Sequence, residues 1–335
     1  LDDFPSFPEE RVAYDQVQNA RLPILKKAFH SFVLNADNTI KLAYRNFLKD
    51  NSKWINDYAL FRAIKANRNQ KPWYQWEAPL KMREPAAIQA IQTALYEEVD
   101  FHKFLQFIFF RQWMDVKEHA HKNKIRIIGD IPLYVALDSA DAWSNPEIFE
   151  FDSDRNPVRV GGVPPDYFSE TGQLWGNPLF RWDVLKETGY KWWIDRISTN
   201  LLLYDVIRID HFRGFAAYWA VPYGEKTAIN GEWIPCPGKE FFDVLREHFG
   251  QLPIIAEDLG VITPDVEALR DGFDLPGMKI LQFAFDSSEA NDYLPHNYVK
   301  NCVVYTGTHD NDTVTGWFNA AQPDDRHYML DYLNA

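Results

Sequence analysis

Three carboxylic acids, each following an apolar run, carry the chemistry this sequence offers. Asp210 closes Ile207-Arg208-Ile209-Asp210-His211-Phe212-Arg213-Gly214. Glu257 closes Ile254-Ile255-Ala256-Glu257-Asp258-Leu259-Gly260, and Asp310 follows Val303-Val304-Tyr305-Thr306-Gly307-Thr308-His309. A charge is costly to bury, so an acid at the end of a buried β-strand marks the rim of a site. Each acid taken alone is as well read as a turn residue or helix N-cap. Taken together they fit cleavage of a glycosidic bond: one carboxylate attacks the anomeric carbon, a second protonates the leaving oxygen and then activates the acceptor, and a third stabilises the developing charge.

The neighbours sharpen this pattern. Arg208 precedes Asp210 by two residues and shares its strand face, so its guanidinium is expected to lower the Asp210 pKa and keep it ionised. His211 and His309 lack a third imidazole or a suitably spaced Cys. Hydrogen bonding to substrate hydroxyls therefore fits them better than metal ligation, and a structural role stays open for both. Asp130, in Ile128-Gly129-Asp130-Ile131-Pro132, either supports the site from a neighbouring strand or caps a turn. Gly162–Phe168 and Gly172–Pro178 combine rigid turns with rings; Tyr167, Phe168 and Trp175 are candidate platforms for sugar faces, or else a small core of the loop itself. No phosphate-binding glycine loop and no G-x-S-x-G elbow is present.

The elements that must position these residues follow from apolar patterning. Residues 1 to about 124 read as helical: one helix over Tyr58–Ala66, and another running from Pro85 at its first turn through Ala86 to about Lys122. Five strand candidates come next, at Ile125–Asp130, Leu203–Asp210, Pro253–Glu257, Met278–Phe285 and Cys302–Asp310. They lack the polar alternation of half-exposed strands. Helical segments at Gly189–Leu202, Lys239–His248 and Pro264–Arg270 alternate with them, which predicts βα units and a parallel sheet. Two regions result: a helical subdomain over 1–124 and a catalytic (β/α) portion over 125–335 with a long loop insertion at 136–181.

Composition narrows the functional classes. Of 335 residues, 46% are hydrophobic and 16% aromatic, enough for a sizeable core with rings left over for a sugar platform. A net charge of −13 argues against nucleic acid, whose phosphates would be repelled, and suits an uncharged substrate. Cys236 and Cys302 match no disulfide framework or metal spacing, so a reducing compartment is expected. No apolar stretch reaches the length of a membrane span. The first residues, Leu1-Asp2-Asp3-Phe4-Pro5, have no basic leader character and read as the middle of a longer chain.

At these motifs the chain resembles the 4-α-glucanotransferases of the amylomaltase or disproportionating-enzyme type, glycoside hydrolase family 77 in the α-amylase superfamily. Ile207–Phe215 is similar to the family's nucleophile strand, Ala256–Gly260 to its acid/base strand and Thr308–Asp312 to the strand carrying the stabiliser. Gly162–Pro178 looks like its active-site loop, and Leu281–Phe285 and Asn19–Phe32 also fit. The resemblance implies an α/β fold of the TIM (β/α)8 type, of which the strands here resemble the third to seventh, so that the barrel is incomplete. It further implies transfer of an α-1,4-glucan segment from a maltooligosaccharide, starch or glycogen donor to an acceptor 4-hydroxyl, with no cofactor and no metal. Asp210 would be nucleophile, Glu257 general acid and base, and Asp310 the stabiliser. The expected substrate-binding set is Asp130, Tyr167, Phe168, Gln173, Trp175, Arg208, His211, His309 and Asn311. A hydrolase using the same acids and an inactive glucan-binding fragment are the alternatives. Cytoplasm is the expected location, with the plastid stroma as the other choice.

Overall fold

The structure is a computed structural model that describes residues 4–166, 169–260, 262–285 and 291–335. Tyr167 and Phe168, two of the expected sugar platforms, lie outside the described residues. The chain forms two compact units, one of Leu1–Asn123 with Ala136–Asn156 and one of Lys124–Val135 with Pro157–Ala335.

The first unit is helical. Its long helices are Tyr14–Asn35, Asn38–Asp50, Ile55–Asn67 and Tyr96–Lys122, and the first, second and fourth bury Phe29, Tyr44, Phe101, Phe104 and Phe107 in one cluster. Asp37 starts the second of them by accepting a bond from the Ile40 N–H at 2.9 Å. The helix expected through Ala86–Lys122 is broken: Pro85–Ala94 ends at Leu95, and a new helix starts at Tyr96. No Gly or Pro marks the break. Packing does, because Pro85–Ala94 buries no residue and lies against Ala78–Lys81, whereas Tyr96–Lys122 fills the aromatic core. Ala136–Asn156, the first part of the expected insertion, belongs to this unit through Trp143. That ring is fully buried, edge-on to Trp76 at 5.3 Å and capped by the Arg83 guanidinium at 4.2 Å.

The second unit holds all nine strands found among the described residues: β1 (Ile128–Pro132), β2 (Arg159–Val163), β3 (Gln173–Pro178), β4 (Val206–Asp210), β5 (Ala217–Pro222), β6 (Glu232–Pro235), β7 (Ile254–Ala256), β8 (Gly277–Ile280) and β9 (Cys302–Tyr305). β1, β4 and β7 form one parallel sheet in that order, and β8 and β9 form another. The Ala256 N–H donates to Pro276 O at 2.9 Å, so β8 runs beside β7. Helices Lys191–Leu203, Gly238–Phe249 and Pro264–Gly272 precede β4, β7 and β8, as the alternating pattern predicts. The strand expected over Met278–Phe285 stops at Ile280 and continues as a 3₁₀ turn, Leu281–Ala284.

The rest of the expected insertion becomes β2 and β3, which join β5 and β6 in an antiparallel sheet of order β3-β2-β5-β6. That sheet packs on Val160, Val221 and Ala228, and the same unit holds an aromatic core of Phe180, Trp182, Tyr190, Trp193, Phe215 and Phe241, with Phe215 and Phe241 stacked at 5.1 Å. Phe215 of this core lies in the 3₁₀ turn Phe212–Phe215 that leaves β4. No described helix is long and apolar enough to cross a membrane.

Candidate active site

Strand register brings the first acids together. In the parallel pair β1–β4, Asp130 lies beside Arg208, and Pro132 beside Asp210; in β4–β7, Ile209 lies beside Ala256. Glu257, one residue past β7, continues that register by donating its N–H to Ile209 O at 3.0 Å. Side-by-side residues of parallel strands share a face, so Asp130, Arg208, Asp210 and Glu257 converge at the carboxyl ends of their strands. Those ends are where open and closed parallel α/β folds place their chemistry.

Arg208 is the hub. Its side chain is only 11% exposed, and Nη1 donates to both Asp130 oxygens, at 2.7 and 2.8 Å, and lies 3.0 Å from Asp210 Oδ1. Of the two readings of Asp130, the structure shows the pairing with Arg208 at the strand ends. The expected sign of the Asp210 shift is corrected. Loss of hydration at the strand end raises its pKa, Arg208 pulls it down without winning, and Asp130 and Asp310 push it further up.

Glu257 occupies a different setting. Its two oxygens accept backbone N–H bonds from His211 (2.7 Å) and Leu259 (2.8 Å). Burial outweighs both bonds, and with the charge of Asp210 it pushes the pKa up to about 7. A carboxyl that stays protonated near neutrality is suited to general acid catalysis.

His211 plays a part that its sequence position does not reveal. It sits in the left-handed region at φ 57°, which turns its N–H toward Glu257. Its ring stands edge-on to Trp175 at 4.7 Å, and burial lowers its pKa to about 4. The ring Nε2 is sealed from solvent and has no partner among the described hydrogen bonds. In the structure its backbone thus holds Glu257 and its ring packs against Trp175, the structural role left open for it in the sequence. Trp175 itself remains 37% exposed, and its indole N–H donates to the Gln173 carbonyl at 3.1 Å. Gln173 accordingly orients the indole.

Asp310 and His309 stand on the loop after β9, both largely exposed, with Nε2 of His309 3.4 Å from Asp310 Oδ1. The charge of Asp310 reaches Asp210. Asn311, expected among the substrate ligands, uses its carbonyl on the loop: Oδ1 accepts from the Thr308 N–H (2.8 Å) and the Thr308 hydroxyl (3.0 Å). Among the described residues, no group of three or more His, Cys, Asp and Glu side chains is arranged to hold a metal ion.

Asp258 is a residue whose importance sequence reading missed. It is buried, accepts from the Arg270 guanidinium at 2.5 Å and from the Met278 N–H at 2.7 Å, and so ties the end of β7 to β8. The available signal was Gly277: a Cβ there would lie 2.5 Å from Asp258 Oδ2, so only glycine lets the carboxylate approach β8.

Arg208→Ala tests the hub. Losing one charge-assisted hydrogen bond, worth roughly 1.5–3 kcal/mol, predicts a kcat fall of about 10- to 150-fold. The guanidinium lowers the pKa of Asp210 by direct contact and that of Glu257 through space. A pH–rate profile of the variant should move upward on both limbs, the acid limb more. An unmoved acid limb would disconnect Arg208 from Asp210.

Comparison with known proteins gives this site its context. A profile of the 4-alpha-glucanotransferase family, glycoside hydrolase family 77, matches residues 2–335. The chain is 53% identical over 99% of its length to a 4-alpha-glucanotransferase of Synechocystis sp. and 51% identical over 98% to one of Thermus thermophilus, covering 66% of each. It thus spans about two thirds of the length of these curated relatives. An amylomaltase from Streptococcus agalactiae, solved in complex with acarbose, superposes with a TM-score of 0.94 at 40% identity, covering 99% of this chain and 67% of that one. An amylomaltase from Corynebacterium glutamicum, 19% identical with a TM-score of 0.74, shares the fold. The fold is an α/β fold of the amylomaltase kind. The chain belongs to the 4-alpha-glucanotransferase family.

Proposed function

We propose that the chain carries the catalytic residues of a 4-α-glucanotransferase, which moves a segment of an α-1,4-glucan to the 4-hydroxyl of another glucan or of glucose. The observation that carries this reading is the register of β4 and β7, which sets Asp210 beside Glu257 in unlike surroundings. One is bonded to a guanidinium; the other is held protonated near neutrality.

An Asp210 oxygen attacks the anomeric carbon, the bond from that carbon to the leaving oxygen breaks, and Glu257 gives its proton to that oxygen. The donor is then an ester of Asp210. An acceptor hydroxyl next loses its proton to Glu257 and attacks the same carbon, releasing the Asp210 carboxylate with configuration retained. Asp310 faces the oxocarbenium-like charge in both steps, and Asp130 holds Arg208 against Asp210. His309 and Trp175, both exposed, bind the sugars, together with Tyr167 and Phe168 of the loop. The parallel strands are read as the third to seventh of an eight-stranded barrel. Exposed apolar residues on the outer strands, Ile128 on β1 and Val304 and Tyr305 on β9, support further strands flanking them. Maltooligosaccharides and starch- or glycogen-type glucans are the partners this chemistry suits, and the cytoplasm or a plastid stroma the compartment.

Incubation with maltotriose tests the reading. Transfer yields longer maltooligosaccharides plus glucose. Reducing ends that increase with no longer product would make the protein a hydrolase, and binding without turnover would make it a glucan-binding module.

A further inference from the structure

Asp310 lies on a loop that the sheet itself does not hold. β9 ends at Tyr305, and Asp310 is five residues further on, its side chain 68% exposed. Within the loop, Thr308 and Asn311 bond to each other, and the Asp310 N–H points to the Thr308 hydroxyl at 3.3 Å. At its far side Thr313 caps helix Val314–Ala320 by accepting from the Gly316 N–H. These bonds fix the loop's shape but not its place relative to Asp210.

The described hydrogen bonds that leave residues 306–312 for the rest of the unit converge on one side chain and its backbone. The Gln282 N–H donates to Thr306 O at 3.2 Å, and Gln282 Nε2 donates to Asp312 O at 2.8 Å. Gln282 is buried in the 3₁₀ turn that follows β8, so it grips both ends of the loop from the neighbouring strand. Its carboxamide also lies flat against Gly307, where a Cβ would come within 2.9 Å of Nε2. A buried amide that donates to Asp312 O and packs against a glycine restricts where the loop can sit.

We infer that Gln282 is a positioning residue for Asp310: it sets the distance from the stabilising carboxylate to the reacting sugar without touching substrate. The inference rests on the transferase reading of Asp310. An effect on placement falls on the transition state more than on ground-state binding, so it appears in kcat and spares KM. It is also distinct from a defect in proton donation. Fluoride leaves an α-glycosyl fluoride with little need of an acid, whereas the oxocarbenium-like charge still needs Asp310.

The test uses Gln282→Ala and Gln282→Met in the full-length protein, with maltotriose and α-maltosyl fluoride as donors and Glu257→Gln as reference. Methionine keeps the length and apolar stem of glutamine and removes the carboxamide with its donors, so it decides the matter should the alanine variant not fold. Both variants are expected to lose at least about tenfold in kcat on both donors, with KM within about twofold and the thermal midpoint kept. Glu257→Gln should lose on maltotriose and keep its first step on the fluoride. A kcat within about threefold of the parent in a folded variant, or a loss carried by KM alone, overturns the inference. So does a Gln282→Met protein that cannot fold, since the residue would then hold the unit together instead of placing the loop. A parent protein that turns over neither donor overturns the transferase reading first, and this inference with it.

Discussion

Asp210→Ala should lower kcat on maltotriose by on the order of 10⁴ or more, about 5 kcal/mol of transition-state stabilisation, while leaving the fold in place. The size follows from the role. A nucleophile has no substitute in a double displacement, and water attacking directly would invert configuration and give hydrolysis. The fold should survive because the Asp210 carboxylate is partly exposed and because Arg208 keeps its bonds to Asp130 when Asp210 is gone. Burial also raises the Asp210 pKa, so ionising it in the folded state works against stability, and alanine removes that penalty. Steady-state rates and a thermal midpoint on the same preparation check both halves. A residual kcat within about 100-fold of the parent would remove Asp210 from the nucleophile's place.

Glu257→Gln is expected to lower kcat on maltotriose by roughly 10²–10⁴, the range for a lost general acid, and to change the shape of the pH profile. In the parent, the first step needs Asp210 ionised and Glu257 protonated. Turnover therefore rises through the Asp210 pKa, which burial raises from its ordinary value, and falls as pH passes about 7. The limbs report the coupled pair, so the profile is a bell. Glutamine does not titrate, and the alkaline limb should vanish in the variant. Stability carries the same signature with a defined sign. The folded pKa of Glu257 is raised, so below its ordinary value of 4.5 the acid is protonated in both states and costs nothing; between 4.5 and about 7 ionisation increasingly favours the unfolded chain. The thermal midpoint of the variant relative to the parent should climb over that window. An alkaline limb that persists at the same pH in Glu257→Gln would show that another group donates the proton.

Much of this was legible before any coordinates. Ile207–Asp210, Ile254–Ala256 and Cys302–Tyr305 read as buried strands because both faces of a parallel sheet are covered, and the acids at or beyond their ends stood out against that apolar background. The alternation of strands with Lys191–Leu203, Gly238–Phe249 and Pro264–Gly272 was visible for the same reason. Harder to read was anything that depends on balance. Arg208 does pull on Asp210, but the opposing loss of hydration depends on packing from several strands, and it wins. His211 read as open between sugar hydroxyls and a structural role; what the sequence did not show is the left-handed backbone that turns its N–H to Glu257 while the ring nitrogen is buried. Gln282 lay hidden inside an apolar run that read as one strand, Met278–Phe285, and only the turn at Leu281 aims its amide at the next loop. The break at Leu95 left no mark at all in the helical periodicity.

The central claim is an ester between Asp210 and the donor sugar, and trapping it is the most direct measurement. In Glu257→Gln, α-maltosyl fluoride can still release fluoride, but the acceptor has no base to activate it, so the intermediate should accumulate. We predict a fluoride burst matching the enzyme concentration and a maltosyl adduct, found by peptide mass mapping, on the peptide that contains Asp210. A maltosyl group on any other residue, or turnover of the fluoride with an inverted product and no adduct, would contradict the account.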